Sequence, residues 1–146
     1  MGIAILSSHR SKDPNTGVGS CIVSTENKIL SVGYNGMPVG CSDDEFPWER
    51  NGNPLDTKYL YVCHAELNAI LNYTGTHMQG ARIYTTLFPC NECTKALIQA
   101  GIKEVIYLSD KYADTDSTKA AKRMMSTVNI KFREYKPLGK EITFEL

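Results

Sequence analysis

The sequence lacks any apolar run approaching the roughly 18 residues needed to span a bilayer. Its first residues are not expected to act as a secretion leader. Met1-Gly2-Ile3-Ala4-Ile5-Leu6 is apolar but short, has no basic segment before it, and runs directly into His9-Arg10-Ser11-Lys12. Leu6 stands where N-myristoylation wants Ser or Thr, so an acyl anchor on Gly2 is not expected. An excess of one charge is missing too: 16 Lys plus Arg balance 16 Asp plus Glu. A polynucleotide-wrapping protein usually carries a basic surplus, so this balance points away from nucleic-acid polymers and towards a small ligand or a protein partner. There is one Trp, and there are no internal repeats, low-complexity tracts or linker-like stretches. Disulfides are not expected. Five cysteines (Cys21, Cys41, Cys63, Cys90 and Cys93) make an odd count, and with no leader expected they favour reduced thiols used for metal binding or catalysis. The expected compartment is the cytoplasm.

What is present is ordinary for a folded chain. At 146 residues, 42% hydrophobic and 22% charged, residues 1–146 are expected to form a single domain with its own core. Residues 3–10 read as a short helix. Val18 to Ser24 reads as a strand, turned back at Asn27 into a second strand from Lys28 to Tyr34. Ser42 to Thr57 is polar, holds Pro47 and Asn51-Gly52-Asn53-Pro54, and reads as a long loop. Ala65 to Asn72 reads as a helix. Ala81 to Leu87 (strand), Asn91 to Ala100 (helix closed by Gly101) and Val105 to Leu108 (strand) form a βαβ unit, which requires parallel strands. Asp116 to Val128 reads as a Lys-rich helix, Ile130 to Tyr135 as a strand, and Glu141 to Leu146 as an edge strand. The fold class is therefore α/β, with a mixed sheet of about five strands.

Two segments carry chemistry: His64-Ala65-Glu66 and Pro89-Cys90-Asn91-Glu92-Cys93. One imidazole and two thiols suit a tetrahedral zinc ion. Cys90 and Cys93 are three apart, so they share a face in the first turn of a helix, where the positive helix end favours thiolates. Pro89 suits a helix start. His64 and Glu66 are two apart and would diverge within a regular helix. They converge only if His64 sits at the helix edge, so two helix N-termini are expected to face one metal. Three protein ligands leave a coordination position for water, as in catalytic rather than structural zinc sites, and zinc lowers the pKa of such a water to about 7. Glu66 is then a non-ligating carboxylate placed to move protons. Two other readings compete. One is a closed Cys₃His site recruiting Cys21, Cys41 or Cys63. The other is a redox-active Cys90/Cys93 pair, which leaves His64 and Glu66 without a role.

His-x-Glu followed by Pro-Cys-x-x-Cys is the zinc deaminase signature. The chain resembles the zinc-dependent cytidine and deoxycytidylate (dCMP) deaminase family. The likeness extends to Arg10-Ser11-Lys12-Asp13-Pro14, Gly33-Tyr34-Asn35-Gly36-Met37-Pro38, Gly40-Cys41-Ser42-Asp43-Asp44 and Ala100-Gly101-Ile102-Lys103-Glu104-Val105-Ile106. The resemblance implies a cytidine deaminase-like three-layer α/β/α fold and hydrolysis of dCMP to dUMP and ammonia. It implies one catalytic Zn²⁺ per chain on His64, Cys90 and Cys93, with Glu66 as proton shuttle. It further implies substrate contacts from Asn35, Ala65 and Tyr112, with Arg10, Ser11 and Lys12 as candidates for the 5′-phosphate. Activation by dCTP, inhibition by dTTP, an effector-linked Tyr34-Asn35-Gly36 segment and a hexameric homo-oligomer complete the expectation. An enzyme that also accepts dCTP, or a catalytically silent zinc-fold scaffold, are the alternatives. His9 and His77 are isolated and read as surface residues, giving no second zinc site.

Overall fold

A computed structural model describes residues 1–143. The chain runs α1 (Gly2–Ser8), β1 (Gly19–Val23), β2 (Ile29–Tyr34), two short 3₁₀ turns (Pro54–Asp56 and Lys58–Leu60), α2 (Ala65–Leu71), β3 (Arg82–Leu87), α3 (Asn91–Gln99), β4 (Glu104–Ser109), α4 (Asp116–Thr127) and β5 (Lys131–Glu134). The strands form one five-stranded sheet in the order β2-β1-β3-β4-β5. β1 pairs antiparallel with both β2 and β3, and β3, β4 and β5 run parallel. The sheet is therefore mixed. Its antiparallel edge is the hairpin turned at Asn27, which adopts φ 65°.

The period-2 alternation of the strands divides the helices between two faces. A Cβ on Gly19 would lie 1.9 Å from the Ala4 carbonyl oxygen, so α1 lies against that face of β1. A Cβ on Gly33 would lie 2.3 Å from the Ala65 carbonyl oxygen and the Ala69 nitrogen. Gly33 pairs with Ser20, one residue out of phase with Gly19, so α2 lies on the opposite face. α3 and α4 continue that second layer. Between it and the sheet lies the core: Ile22, Ile83 and Val105 from the strands, Ala69 and Leu97 from α2 and α3, and Ala121 and Met125 from α4. Phe88 closes it, packing edge-on to Tyr107 at 4.9 Å and Phe132 at 5.8 Å between ring centroids. The three-layer α/β/α arrangement agrees with the reading of the sequence.

The differences are local. α1 ends at Ser8 rather than residue 10, where His9 caps it and the chain turns through hydrogen bonds from Arg10 and Ser11 to Ser7 and Ser8. α3 begins at Asn91 as read, with Cys90 as its cap rather than in its first turn, and ends one residue earlier, at Gln99. The loop expected from Ser42 to Thr57 contains a 3₁₀ turn at Pro54–Asp56. Glu141, Ile142 and Thr143 are exposed and take no part in the sheet. The rest of the expected C-terminal edge strand, residues 144–146, lies outside the described residues.

Candidate active site

His64 is the N-cap of α2, in extended conformation (φ −75°, ψ 155°), and is followed at once by helical Ala65 and Glu66. That break in backbone geometry lets a His and a Glu two residues apart face one cavity. A two-residue bridge holds the approach: Gly36 and Cys63 exchange backbone hydrogen bonds of 3.1 and 2.9 Å, tying the end of β2 to the entry of α2. Cys90 caps α3 in the same way, its sulfur accepting the Cys93 N–H at 3.4 Å. The His64 Nδ1 atom lies 3.4 Å from the Cys90 Sγ and 3.5 Å from the Cys93 Sγ. All three donor atoms fall within 4.8 Å of one another.

This geometry fits zinc. With Zn–S bonds of about 2.3 Å and Zn–N of about 2.0 Å, the edges of a tetrahedron are roughly 3.5–3.8 Å. Two thiols and an imidazole at helix N-termini are also the donor set that zinc prefers. Cys21, Cys41 and Cys63 do not join the cluster. Cys21 is buried in β1, and Cys63 serves the bridge to Gly36.

The electrostatics follow from burial and contact. The Cys93 S–H donates to the Cys90 sulfur and, against the cost of burial, holds the Cys90 thiol well below its ordinary range; His64 adds to the effect. Cys93, on the giving side of that bond and buried, is pushed up. Contact with Cys90 raises His64 although burial opposes it. Glu66 is 3% exposed. Its burial pushes the carboxyl up to about 7, against the downward pull of the His64 charge.

The cluster opens on a cavity of about 470 Å³ walled by Asn35, Ala65, Glu66, Phe88 and Tyr112, among others. Ala65 is fully buried at the first position of α2, where helix geometry leaves its N–H without an intrahelical acceptor. Tyr112 stands at the mouth, 40% exposed, with the Lys111 ammonium 5.1 Å from its ring centre. Asn35 lines the cavity, but its amide is engaged within the protein. Its Oδ1 accepts from the Val18 N–H at 2.7 Å, and its Nδ2 donates to Asp13 at 3.2 Å and to the Thr16 carbonyl at 3.0 Å. Arg10, Ser11 and Lys12 do not line the cavity. Arg10 lies over the Tyr34 ring at 5.9 Å, Ser11 Oγ accepts the Asp13 N–H, and Lys12 pairs with Asp43 at 3.0 Å. Tyr34 and Gly36 flank Asn35 and hold α2, Tyr34 by accepting from the Asn68 side chain at 2.8 Å.

Other cavity residues were not singled out from the sequence. Asp13 and Lys58 form a buried ion pair in its wall. The other Asp13 oxygen accepts the N–H groups of Asn15 and Thr16. Arg50 and Tyr59 reach the cavity from the long loop and the 3₁₀ turn that follows it, and Thr115, Ser117 and Thr118 from the start of α4. Asp13 falls within a segment that carries the family likeness. Nothing in the local pattern of Asp56-Thr57-Lys58 marks Lys58 as buried.

Comparison with known proteins matches these features. The family model described as the cytidine and deoxycytidylate deaminase zinc-binding region matches residues 1–109. The chain belongs to this family. Deoxycytidylate deaminase of Homo sapiens is 56% identical over 146 residues, covering 99% of this chain and 82% of the human one. A probable deoxycytidylate deaminase of Drosophila melanogaster is 51% identical, covering 99% and 74%. Among solved structures, the dCMP deaminase of cyanophage S-TIM5 in complex with dCMP and dUMP superposes with a TM-score of 0.68 at 27% identity, over 90% of each chain. For this deaminase the matched region spans the whole of the His64/Cys90/Cys93 cluster and Glu66.

Proposed function

We propose that the protein hydrolyses dCMP to dUMP and ammonia. The observation that carries this reading is the placement of Glu66, a buried carboxyl in the cavity wall beside a three-ligand His/Cys/Cys cluster. His64, Cys90 and Cys93 would hold one zinc ion, which supplies a Lewis acid and activates water at neutral pH. Glu66 takes a proton from the attacking water and delivers it to ring N3 as the new C4–O bond forms. It then takes the proton of the new C4 hydroxyl and passes it to the amino nitrogen, so that the C4–N bond breaks, ammonia leaves and the C4 carbonyl forms. A carboxyl that accepts and redonates within one cycle needs no second acid, and a pKa near neutrality suits both duties. The Ala65 N–H is a free donor for the pyrimidine ring. Asn35 and Tyr112 shape the sugar side of the cavity; the internal bonds of Asn35 make it as much a scaffold as a contact.

The finer expectations belong to the same reading: a cytoplasmic enzyme supplying dUMP for thymidylate synthesis, activated by dCTP and inhibited by dTTP, with Tyr34, Asn35 and Gly36 linked to the effector. A homo-oligomer, expected as a hexamer, draws support from the exposed apolar side chains of Ile3, Ile5 and Leu6 on α1 and of Val32 on β2. No helix among the described residues is long and apolar enough to cross a membrane. The test is loss of cytosine absorbance with dCMP, dCTP, deoxycytidine and a cytosine oligonucleotide in parallel, each with and without added dCTP or dTTP. Turnover of dCMP, raised by dCTP and suppressed by dTTP, is expected. Turnover of dCTP as well would make this a broader nucleotide deaminase. Turnover of none by the zinc-loaded protein would leave a scaffold.

A further inference from the structure

A nucleoside monophosphate brings a doubly charged phosphate that must meet positive charge along the cavity. The basic residues expected for this from the sequence, Arg10 and Lys12, are turned to Tyr34 and Asp43 instead. Two other cations line the cavity, Lys58 and Arg50. Lys58 is neutralised by Asp13 within a buried pair. Arg50 is exposed, and no carboxylate pairs with it among the described residues. Its Nε donates to the Tyr59 hydroxyl at 3.2 Å, which orients the guanidinium. Tyr112, across the mouth on the loop after β4, also lies close to the guanidinium charge. The N-terminal turn of the twelve-residue α4 opens on the same cavity through Thr115, Ser117 and Thr118, adding the positive end of its dipole.

We propose that Arg50 reads the 5′-phosphate at the cavity mouth and so determines the preference for nucleotide over nucleoside. An Arg fork held between tyrosines and paired with no carboxylate among the described residues is shaped for two phosphate oxygens at once. This inference rests on the deaminase reading above and adds to it the residue that selects the substrate.

The test compares wild type, Arg50→Gln and Arg50→Lys by kcat/KM on dCMP and on deoxycytidine, and by calorimetric binding of dUMP and deoxyuridine. Losing a charge-assisted contact of this kind predicts a fall of about 10- to 100-fold in kcat/KM for dCMP with Arg50→Gln. The same variant should weaken dUMP binding by a similar factor, and the preference over the nucleoside should collapse. Arg50→Lys should recover part of both, since it keeps the charge and loses the fork. Nucleotide preference and dUMP affinity that persist in Arg50→Gln would overturn the proposal. Equal use of dCMP and deoxycytidine by wild type would refute phosphate reading while leaving deamination intact. Turnover of neither would instead refute the deaminase reading, and the role of Arg50 with it.

Discussion

At the scale of single residues, the site depends on two helix caps. His64 and Cys90 both sit in extended backbone at the residue before a helix, and each presents its side chain to the same point. Their spacing to Glu66 and Cys93 is local, so it is legible in the sequence: two residues across a cap, and three within a first turn. Replacing His64 or Cys93 with Ala is expected to strip zinc from the purified protein. Metal analysis checks this, and full zinc occupancy in either variant would remove that residue from the ligand set. Arg50 and Lys58 could not be read in the same way. Each lies in or beside an irregular segment without periodicity, and its meaning depends on what the tertiary fold sets opposite it. For Lys58 that partner is Asp13, 45 residues earlier.

At the scale of elements, the buried Asp13–Lys58 pair fastens the chain after α1 to the 3₁₀ turn before α2. Removing one partner leaves the other charged and buried, a loss of about 3–5 kcal/mol. Lys58→Ala is expected to lower stability to that extent by chemical denaturation. The pair also sets a pH dependence. Burial raises the Asp13 carboxyl, but the hydrogen bond and charge of Lys58, with the Asn15 and Thr16 N–H groups, outweigh it and leave its pKa below the ordinary value of 3.8. Its contribution is therefore complete above that ordinary value and fades as pH falls through the depressed one. Thermal melts between pH 6 and 2.5 should show this loss in wild type and a shallower one in Asp13→Asn. A second element-scale test concerns Gly33. A methyl group there meets backbone atoms of α2 at 2.3 Å, so Gly33→Ala must push α2 away from β2 and shift His64 and Glu66. A stability loss of about 1–3 kcal/mol is expected, with reduced zinc affinity by competition against a chelator. Unchanged affinity would mean that the bridge to Gly36 alone fixes His64.

The elements themselves were largely readable. Apolar and β-branched runs between turn signals located all five strands to within a residue or so, and apolar runs and end signals located the helices after the first likewise, although β1 is buried on both faces and β5 is largely exposed. The described part of the expected tail strand, residues 141–143, does not pair. Ile142 alternates with polar neighbours like a strand residue, yet it is exposed and unpaired; alternation marks a segment able to pair, while pairing also requires a free sheet edge within reach.

At the scale of the whole molecule, the sheet order explains why one cavity gathers so many parts. The parallel strands β3 and β4 point the same way. The loops leaving their C-terminal ends bring Phe88, Cys90 and Tyr112 to the place where β1 turns antiparallel between β2 and β3. Ligands in open α/β sheets bind beyond such strand ends. The starts of α2, α3 and α4 all face this point, so fixed positive dipole ends surround the two cysteine sulfurs and the cavity proposed for an anionic substrate. This convergence was inferred for α2 and α3 from the two motifs. For α4 it could not be, because no residue of Asp116-Ser117-Thr118 announces a ligand.

The central claim is that Glu66 moves the protons of a deamination while the neighbouring cluster holds zinc. It is tested most directly by measuring ammonia released from dCMP by wild type and Glu66→Gln, with zinc content determined on the same samples. Wild type should release one ammonia for each dUMP formed. The variant should keep its zinc and turn over at least about 10²- to 10⁴-fold more slowly, the usual worth of a positioned acid–base group. Equal ammonia release from the two proteins at equal zinc content would contradict the account.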